Sequence, residues 1–463
     1  MRDRSLAMLL ALLSFWAFAW LSPQDPGNSQ IITRLGLTLS IVEDGRLDID
    51  KVAGWTIDKA QLGEHFYADK TPGHSLLAVP GVALTRWVLP VFGADADWLD
   101  RAVFARFAFA ATLLTNGVLG ALASAALFLA ARRLGAGQAG AVFAAGSLAL
   151  ATPFLGWSTA FFAHSVSGSL LVIALCLLVW LGDARRPALV AGAAGLAMSY
   201  TAVVDLTTAP SLILLGLLAL FLAWRAQRLA PVIAGLAVGG ALGALPLVIY
   251  NQLAFGSPFR LGYSNVVGWA GMQQGLFGIG IPDPRVTAEL LFGLYRGMLP
   301  LAPVLLLVPV GLWIMARKHR LRPVALLIGG VILVHLAINS GYYYWNGGWS
   351  TGPRHLVPAL PLAALALAWA WPGRGAARVP VLALLGVSLV ISLICAAGGM
   401  FAPEQFRFPV LEWVLPRALQ GEAMMRAAPV FLSWLAFFWL LLRSSVEEGP
   451  RTGSTAGLPA VAD

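Results

Sequence analysis

Long apolar runs alternate with short polar segments along the chain, from Leu6 to Leu442. Several runs extend for about 20 residues, the length that a helix needs to cross a bilayer core of about 30 Å. Short clusters of Arg and Lys separate many of the runs, as in the cytoplasmic loops of membrane proteins. The pattern predicts an all-α polytopic membrane protein with about 12 transmembrane helices and a long first extracytoplasmic loop that contains juxtamembrane helices.

The basic clusters fix the orientation that we predict. Residues 1–22 carry two arginines before an apolar run, so we expect them to stay in the membrane as the first span. The A-x-A pattern at residues 17–19 leaves cleavage of a signal peptide as an alternative. Residues 74–92 either span the membrane or lie along its outer interface. Only the interface placement keeps the arginine pair at 132–133 on the side of the other basic clusters. We adopt it, and both termini are then cytoplasmic.

This orientation divides the chain into one transmembrane domain, residues 1–442, and a disordered cytoplasmic tail, residues 443–463. The tail is rich in small and polar residues and has no apolar period. Three polar stretches of the domain lie outside the membrane. We refer to residues 23–101 as the first outer segment, residues 251–296 as the second outer segment and residues 342–355 as the aromatic loop.

Composition excludes several classes of function. Hydrophobic residues make up 59% of the chain and charged residues 11%, whereas about a quarter of a soluble domain is charged. The net charge of +9 comes from the clusters between spans, so we expect no nucleic-acid partner. The two cysteines lie in apolar runs and have neither disulfide nor metal spacing. The sequence also has no phosphate-binding P-loop and no G-x-S-x-G motif, which argues against nucleotide-driven and serine-hydrolase chemistry.

The stretch from Ile41 to Pro80 concentrates titratable side chains outside the predicted spans. It holds seven of the 22 acidic residues, and such a concentration indicates a functional site. Either of two aspartates in it is a candidate general base for an acceptor hydroxyl. The candidates here are Asp58 and Asp69 as catalytic residues, with His65, Tyr67 and Lys70 as substrate-binding residues.

A Pro-Gly turn follows the Asp69–Lys70 pair. Proline and glycine favour a tight bend, which would aim both side chains back at the membrane surface. There an ammonium group is a natural partner for a lipid phosphate. A solvated structural turn is the alternative.

Asp48 and Asp50 form a D-x-D triplet, whose carboxylates lie on one side of an extended segment and can share a divalent cation. A loop that is merely acidic is the alternative, so no cofactor beyond this candidate cation is predicted.

Further substrate-binding candidates lie at the predicted outer ends of the spans. A carboxylate such as Asp205 is costly there unless it faces a cavity or a partner, and His164 ends a short outer turn. The second outer segment contributes Arg260, Tyr263 and Arg296, whose cations suit an anionic ligand or simply anchor the spans in lipid headgroups.

The aromatic loop combines tyrosines with a Gly-Gly pair, tryptophans, Asn and Arg. A belt of aromatic residues at the membrane boundary accounts for Tyr342 and Tyr343. It does not account for the Gly-Gly pair, the tryptophans, the Asn and the Arg. Aromatic faces together with an Arg fork suit a sugar phosphate. The substrate-binding candidates of this loop are Trp345, Asn346, Trp349, Arg354 and His355.

Four stretches together resemble a known family: YADKTPGHSLL, FGSPFRLGY, LYRGMLPLAPVLLL and YYYWNGGWSTGPRHLVPALP. With the order of spans and the long first outer segment, they resemble the GT-C superfamily of membrane glycosyltransferases. Within it, they are similar to the protein mannosyltransferase and aminoarabinose transferase group, which is glycosyltransferase family 39-like. ADKTPG, with Lys70 and Pro72, is similar to the Lys-Pro-Pro element of that group.

The resemblance implies a polyprenyl-phosphate-linked sugar donor and a lipid, glycan or protein acceptor. It also implies a base in the first outer segment, basic residues around the lipid phosphate, and a bacterial inner-membrane protein. One departure stands out, because the group has an Asp-Glu pair soon after the first span, where this chain reads NSQIITR. The base must then be one of the aspartates farther along the segment, Asp44, Asp48, Asp50, Asp58 or Asp69, and we favour Asp58 and Asp69.

The main hypothesis is an inverting, lipid-linked sugar transferase, in which the polar outer segments meet in one pocket at headgroup level. The alternative is a membrane transporter or a flippase of lipid-linked saccharides, with no group transfer. Transporters place their polar and broken-helix elements near the bilayer midplane. This chain places its polar residues mainly in the outer segments, which favours the transferase.

Overall fold

Helices dominate the computed structural model of the chain, which describes residues 2–22, 27–92, 97–373 and 375–447. The α-helices cover Asp3–Leu21, Ser29–Leu39, Gly73–Val88, Arg101–Thr112, Val118–Arg133, Gln138–Leu150, Phe154–Trp157, Ala163–Leu178, Pro187–Val204, Ala209–Arg225, Leu229–Phe255, Pro284–Phe292, Met298–Leu301, Val308–Arg317, Arg322–Gly341, Leu360–Ala370, Arg378–Gly398, Leu415–Ala418, Gly421–Ala427 and Val430–Glu447. The π-helical segments are Ser40–Asp44, Leu113–Gly117 and Val410–Val414.

Nine helices among the described residues are long and apolar enough to cross a membrane, and four shorter ones of 10–17 residues are also apolar. The chain is therefore a multi-pass, all-α membrane protein, as predicted. The helix Gly73–Val91 is one of the nine by length and composition, so the interface placement of residues 74–92 and the count of about 12 spans stay predictions.

The helix that begins at Gly73 has two different faces. Its buried face repeats every four residues at His74, Ala78 and Val82, as expected for an α-helix. Its opposite face is also apolar, with Leu84 59% and Trp87 82% exposed. An apolar surface of this kind suits contact with lipid in either placement of the helix.

Small residues bring two spans into direct backbone contact. In Leu229–Phe255, glycines recur every fourth residue at Gly235, Gly239 and Gly243. A Cβ at Gly239 would collide with the backbone of Gly192 in the helix Pro187–Val204. This is the small-xxx-small packing of membrane helices, and it fixes the span whose outer end carries part of the site.

Backbone hydrogen bonds join the outer segments to one another. The strands Lys59–Leu62 and His65–Ala68 form an antiparallel hairpin in the first outer segment. Val267 N donates to Lys59 O at 3.0 Å, which attaches the second outer segment to this hairpin. Farther along, Gly280 N donates to Gly341 O at 2.7 Å, next to the aromatic loop. The sequence analysis predicted neither strands nor this network.

The predicted tail is partly helical. The last helix continues to Glu447, so residues 443–447 extend the final span instead of belonging to a disordered tail. Residues 448–463 lie outside the described residues.

Candidate functional site

A cavity of about 690 Å³ collects side chains from all three outer segments. Nine of the predicted site residues line it: Asp58, Asp69, Lys70, His164, Asp205, Tyr263, Trp349, Arg354 and His355. The first outer segment and the aromatic loop therefore meet in one pocket, as the sequence hypothesis required.

The Asp69–Lys70 corner is attached to the outer end of a span. Thr71 Oγ1 donates to Val204 O at 3.1 Å, and Tyr200 OH donates to Gly73 O at 2.9 Å. Both contacts join the corner to the end of the helix that carries Tyr200. The corner therefore lines the cavity, and its predicted aim at the membrane surface stays a prediction.

Asp69 and Lys70 form an ion pair at this corner. Lys70 Nζ lies 2.5 Å from Asp69 Oδ2, and the Asp69 side chain is 1% exposed. Burial alone would lower the pKa of Lys70, but the carboxylates of Asp69 and Asp58 outweigh it and raise that pKa above its ordinary value. Lys70 therefore remains a cation. Asp69 Oδ1 has no hydrogen-bond partner within the described part of the chain.

Asp58 is held by its backbone, which leaves its carboxylate at the cavity. Its N–H donates to Thr56 Oγ1 at 3.0 Å, and Thr33 Oγ1 donates to its carbonyl oxygen. Burial raises the pKa of Asp58, and this effect, together with the negative charge of Asp69, exceeds the opposing effect of the nearby cations. A buried carboxylate with a raised pKa is suited to accept a proton.

Arg34 lines the same cavity, although the sequence analysis did not select it as a site residue. It lies in the helix Ser29–Leu39, which Asn28 caps by accepting from Gln30 N at 2.9 Å. The arginine is 4% exposed, and its Nε and Nη1 have no hydrogen-bond partner among the residues that the structure describes. The sequence signal that could have identified it was a lone Arg in the apolar stretch IITRLGL, where an isolated charge is costly.

Arg354 approaches the cavity from the aromatic loop. Its guanidinium carbon lies 5.5 Å from the centre of the Phe162 ring, within the range of a cation–π contact. The residue is 7% exposed, and its Nε lacks a hydrogen-bond partner in the described ranges. Arg34 and Arg354 thus give the cavity two buried cations, and Lys70, whose side chain is 19% exposed, gives it a third cation.

A buried His–Asp pair completes the inner wall. His164 Nδ1 lies 2.9 Å from Asp205 Oδ2, while Asp205 Oδ1 accepts from the N–H and hydroxyl of Thr207 at 3.2 and 2.7 Å. The His355 ring packs edge-on against His164, with centroids 5.1 Å apart. Asp205 therefore faces a cavity and a partner, the condition under which a carboxylate is tolerated at a span boundary.

Aromatic residues form the opposite wall. The tyrosines at 342 and 343 line the cavity together with Tyr344 and Trp269, a position that the belt interpretation did not predict. Glu404 was also missed, and it accepts from Tyr344 OH with both carboxylate oxygens at 3.0 Å. Nothing in its local sequence, FAPEQF, distinguishes Glu404 from a solvated loop residue.

The predicted phosphate role of Arg296 is corrected by its contacts. Arg296 is fully buried and donates to Asn346 O at 2.8 Å and to Gly348 O at 2.9 Å. It therefore holds the Gly-Gly turn of the aromatic loop from behind. Gly347 and Gly348 have φ angles of 72° and 63°, in the left-handed region that favours glycine.

Five other predicted residues lie outside this cavity. His65 contacts Asp50 on the exposed side of the hairpin, with Nδ1 2.6 Å from Oδ2. The Tyr67 ring packs on Phe255, with centroids 5.3 Å apart. Arg260 donates to Asn265 Oδ1 at 3.3 Å on the surface. The other two are Trp345 and Asn346, whose side chains point away from the cavity towards Tyr295.

The predicted D-x-D cation site also lies away from the cavity. Ligand atoms of Asp48, Asp50 and His65 lie within 4.8 Å of one another. The exposed Arg46 already donates to Asp48 Oδ2 at 2.7 Å. These residues could hold a cation, but their contacts equally describe a solvated ion-pair cluster.

Comparisons with known proteins identify the fold. No family model matches the chain, and no curated protein matches it. ArnT from Cupriavidus metallidurans bound to undecaprenyl phosphate superposes with a TM-score of 0.52 at 16% identity, covering 96% of this chain and 77% of that one. Its apo form gives a TM-score of 0.48 at 15% identity, with the same coverage. The apo oligosaccharyltransferase of Archaeoglobus fulgidus gives 0.44 at 12% identity, covering 92% of this chain and 56% of that one.

The superposition on the first of these structures spans nearly the whole of this chain, so the chain shares the fold of ArnT. The resemblance to the GT-C superfamily read from the sequence is thereby confirmed for the fold.

Proposed function

We propose that the protein transfers a sugar from a polyprenyl-phosphate donor to an acceptor on the periplasmic face of a bacterial inner membrane. One observation carries the proposal. A cavity at the outer ends of the spans holds three cations, the buried Arg34 and Arg354 and the partly buried Lys70, beside the carboxylates of Asp58 and Asp69. The GT-C fold, and the undecaprenyl phosphate bound to ArnT, support a donor of this class.

The unsatisfied cations support an anionic ligand. Arg34 and Arg354 together present three guanidinium nitrogens that no described residue accepts from. Burying such donors without acceptors costs about 1–3 kcal/mol each, and more where the group is charged. A phosphate would supply the acceptors, since arginine forks match its geometry.

The apolar end of the cavity suits the donor's hydrocarbon tail. Leu206, Pro210 and Ile338 line it at the ends of two adjoining spans. A tail entering between these helices would leave its phosphate at headgroup depth, beside the cations. This arrangement separates the charged and hydrocarbon parts of one amphipathic substrate.

The carboxylates supply the proton acceptor of an inverting displacement. The acceptor hydroxyl attacks C1 of the sugar, while the bond between C1 and the phosphate oxygen breaks. The lipid phosphate leaves with the electron pair, and the cations stabilise its charge. Asp58 takes the hydroxyl proton. Asp69 positions Lys70, because its Oδ2 lies 2.5 Å from the ammonium.

Proteoliposomes loaded with a radiolabelled polyprenyl-phosphate sugar test the proposal. Membranes of the native host supply the acceptor. Wild-type protein should move the label from the lipid to an acceptor and release lipid phosphate, whereas Asp58→Asn should lower this transfer by about 10²–10⁴-fold. Translocation of the intact lipid, with no cleavage in either protein, would instead identify a transporter or flippase and overturn the proposal.

A further inference from the structure

A second cavity of about 640 Å³, shallow and open to the surface, shares Glu404 with the first and includes Trp345 of the aromatic loop. Its lining includes Glu289, Tyr295, Trp345, Phe406 and Arg407, and Glu404 lines both cavities. A transferase holds two substrates at once, and the function proposed above accounts only for the first cavity.

Glu404 lines both cavities. Its carboxylate accepts from Tyr344 OH at 3.0 Å and from Asn346 Nδ2 at 3.4 Å, and its carbonyl accepts from Tyr295 OH at 2.9 Å. The donors are thus two hydroxyls and one amide. Ligand hydroxyls can replace them one for one, because a hydroxyl both donates and accepts.

The chemistry of the lining matches a neutral or amino saccharide. Tyr295 and Trp345 present aromatic rings whose centroids are 6.1 Å apart and nearly perpendicular. Aromatic faces pack against the apolar faces of sugar rings, and the half-buried Glu289 and the exposed Glu404 accept from ring hydroxyls. Two carboxylates against one lining cation, Arg407, disfavour a phosphorylated or acidic ligand.

We infer that the second cavity is the acceptor site and binds a neutral or amino saccharide, with Glu404 at the passage to the donor cavity. This inference rests on the proposed function. It goes further in naming the acceptor class and in assigning Trp345 and Glu289 to its recognition.

Binding of fluorescent neutral and amino oligosaccharides to the purified full chain tests the inference. A subset should bind to wild type, and Trp345→Ala and Glu289→Gln should each weaken that binding at least about tenfold, the scale of one lost hydrogen bond or ring contact. Phe259→Ala, at an outer residue that is 89% exposed, is the matched control and should leave it unchanged. Arg34→Ala should weaken binding of undecaprenyl phosphate but not of the saccharide.

Three results would overturn the inference: no saccharide binds, a peptide panel binds in its place, or neither variant weakens saccharide binding. Because Trp345 packs on Tyr295, Glu289→Gln provides the test should Trp345→Ala fail to fold. Undecaprenyl phosphate binding is measured on every variant. Its loss from the wild type would contradict the proposed function, whereas its retention without saccharide binding would contradict only the acceptor site.

Discussion

Two groups of carboxylates in the first outer segment have opposite surroundings. Asp48 and Asp50 lie with His65 on the outside of the hairpin, where His65 is exposed and the carboxylates accept from neighbouring donors. Asp58 and Asp69 lie on the inside, 8% and 1% exposed, and face a cavity. In the sequence, the two groups are equally acidic and only a few residues apart.

The outer group has a complete structural role. Asp50 Oδ1 accepts from Phe66 N at 2.7 Å, and Asp50 Oδ2 accepts from Arg46 at 3.4 Å. These contacts attach the 3-10 helix Asp50–Trp55 to the strand His65–Ala68. Its polar atoms are thus used in local structure.

The inner group leaves polar atoms unused. Arg34, Asp69 and Arg354 all keep buried side-chain atoms with no partner among the described residues. Since native proteins satisfy nearly all buried polar groups, these atoms support the anionic ligand of the proposed function. Their burial separates the inner group from the outer group, whereas the density of charge along the chain does not.

The largest effect is expected from Asp58→Asn. Losing the proton acceptor should lower the transfer rate by about 10²–10⁴-fold, the usual contribution of general base catalysis. Asp50→Asn, the matched change on the outer side, should alter the rate by less than about twofold, as surface substitutions usually do. Both rates are measured with radiolabelled donor in proteoliposomes. Equal losses in the two variants would contradict the division between inner and outer groups.

The raised pKa of Asp58 adds a pH dependence to this prediction. The rate should fall as pH drops through that raised pKa, above the ordinary value of about 3.9 for aspartate. A raised carboxyl pKa also means that the charged form costs stability above the unfolded value. Asp58→Asn should therefore unfold at the same or a higher temperature than wild type at pH 7, while being inactive.

Arg34→Ala should weaken donor binding more than catalysis. A hydrogen bond between a charged group and its ligand contributes about 1.5–3 kcal/mol, so the Kd for undecaprenyl phosphate should rise roughly 10–150-fold. Arg46→Ala, which removes an exposed arginine paired with Asp48, is the control. Fluorescence titration measures both. If Arg46→Ala weakens binding as much as Arg34→Ala, the phosphate does not lie in the inner cavity.

Gly73→Ala should damage the attachment of the Asp69–Lys70 corner. A Cβ at Gly73 would lie 2.5 Å from the backbone carbonyl of Val203, and such overpacking costs about 1–3 kcal/mol. Thermal unfolding in detergent should shift down by several degrees, with a loss of transfer. Gly54→Ala is the matched control in the same outer segment, because a Cβ there meets nothing within 4 Å. It should leave both measurements unchanged.

The membrane fold and the choice of Asp58 and Asp69 could be predicted from the sequence, whereas the positions of Arg34 and Arg296 could not. Apolar length and basic clusters predicted the helical membrane fold, and the concentration of acidic residues before Pro72 predicted Asp58 and Asp69 as candidates. Arg34 was missed because the local sequence shows only that a charge is costly in an apolar stretch. It does not show which way the side chain points. Arg296 was assigned to substrate because burial behind the Gly-Gly turn depends on contacts about 50 residues away in the chain.

The place of Tyr342 and Tyr343 also could not be predicted from the sequence alone. An aromatic run at a span boundary fits a lipid belt equally well on sequence grounds. Tyr343 N donates to Gly278 O at 2.8 Å, a contact with the second outer segment that turns the run towards the cavity. Glu404 is brought to Tyr344 from 60 residues away. The spacing of residues along the chain does not predict these two contacts, because both are tertiary contacts between loops.

The smallest effect is expected at His65, on the outer side. The hydrogen bond and charge of Asp50 raise the pKa of His65, so the pair stabilises the fold below the unfolded value of about 6.5 and loses that contribution as pH rises through the raised pKa. The change in Tm between pH 5.5 and 8 should therefore be slightly smaller in His65→Gln than in wild type, while transfer stays constant. Glu64→Gln, at the adjacent exposed position, should keep the wild-type pH dependence. A divalent cation that raised the Tm of wild type, but not of His65→Gln, would show instead that the outer group is the cation site considered for Asp48 and Asp50, and that its carboxylates are not merely structural.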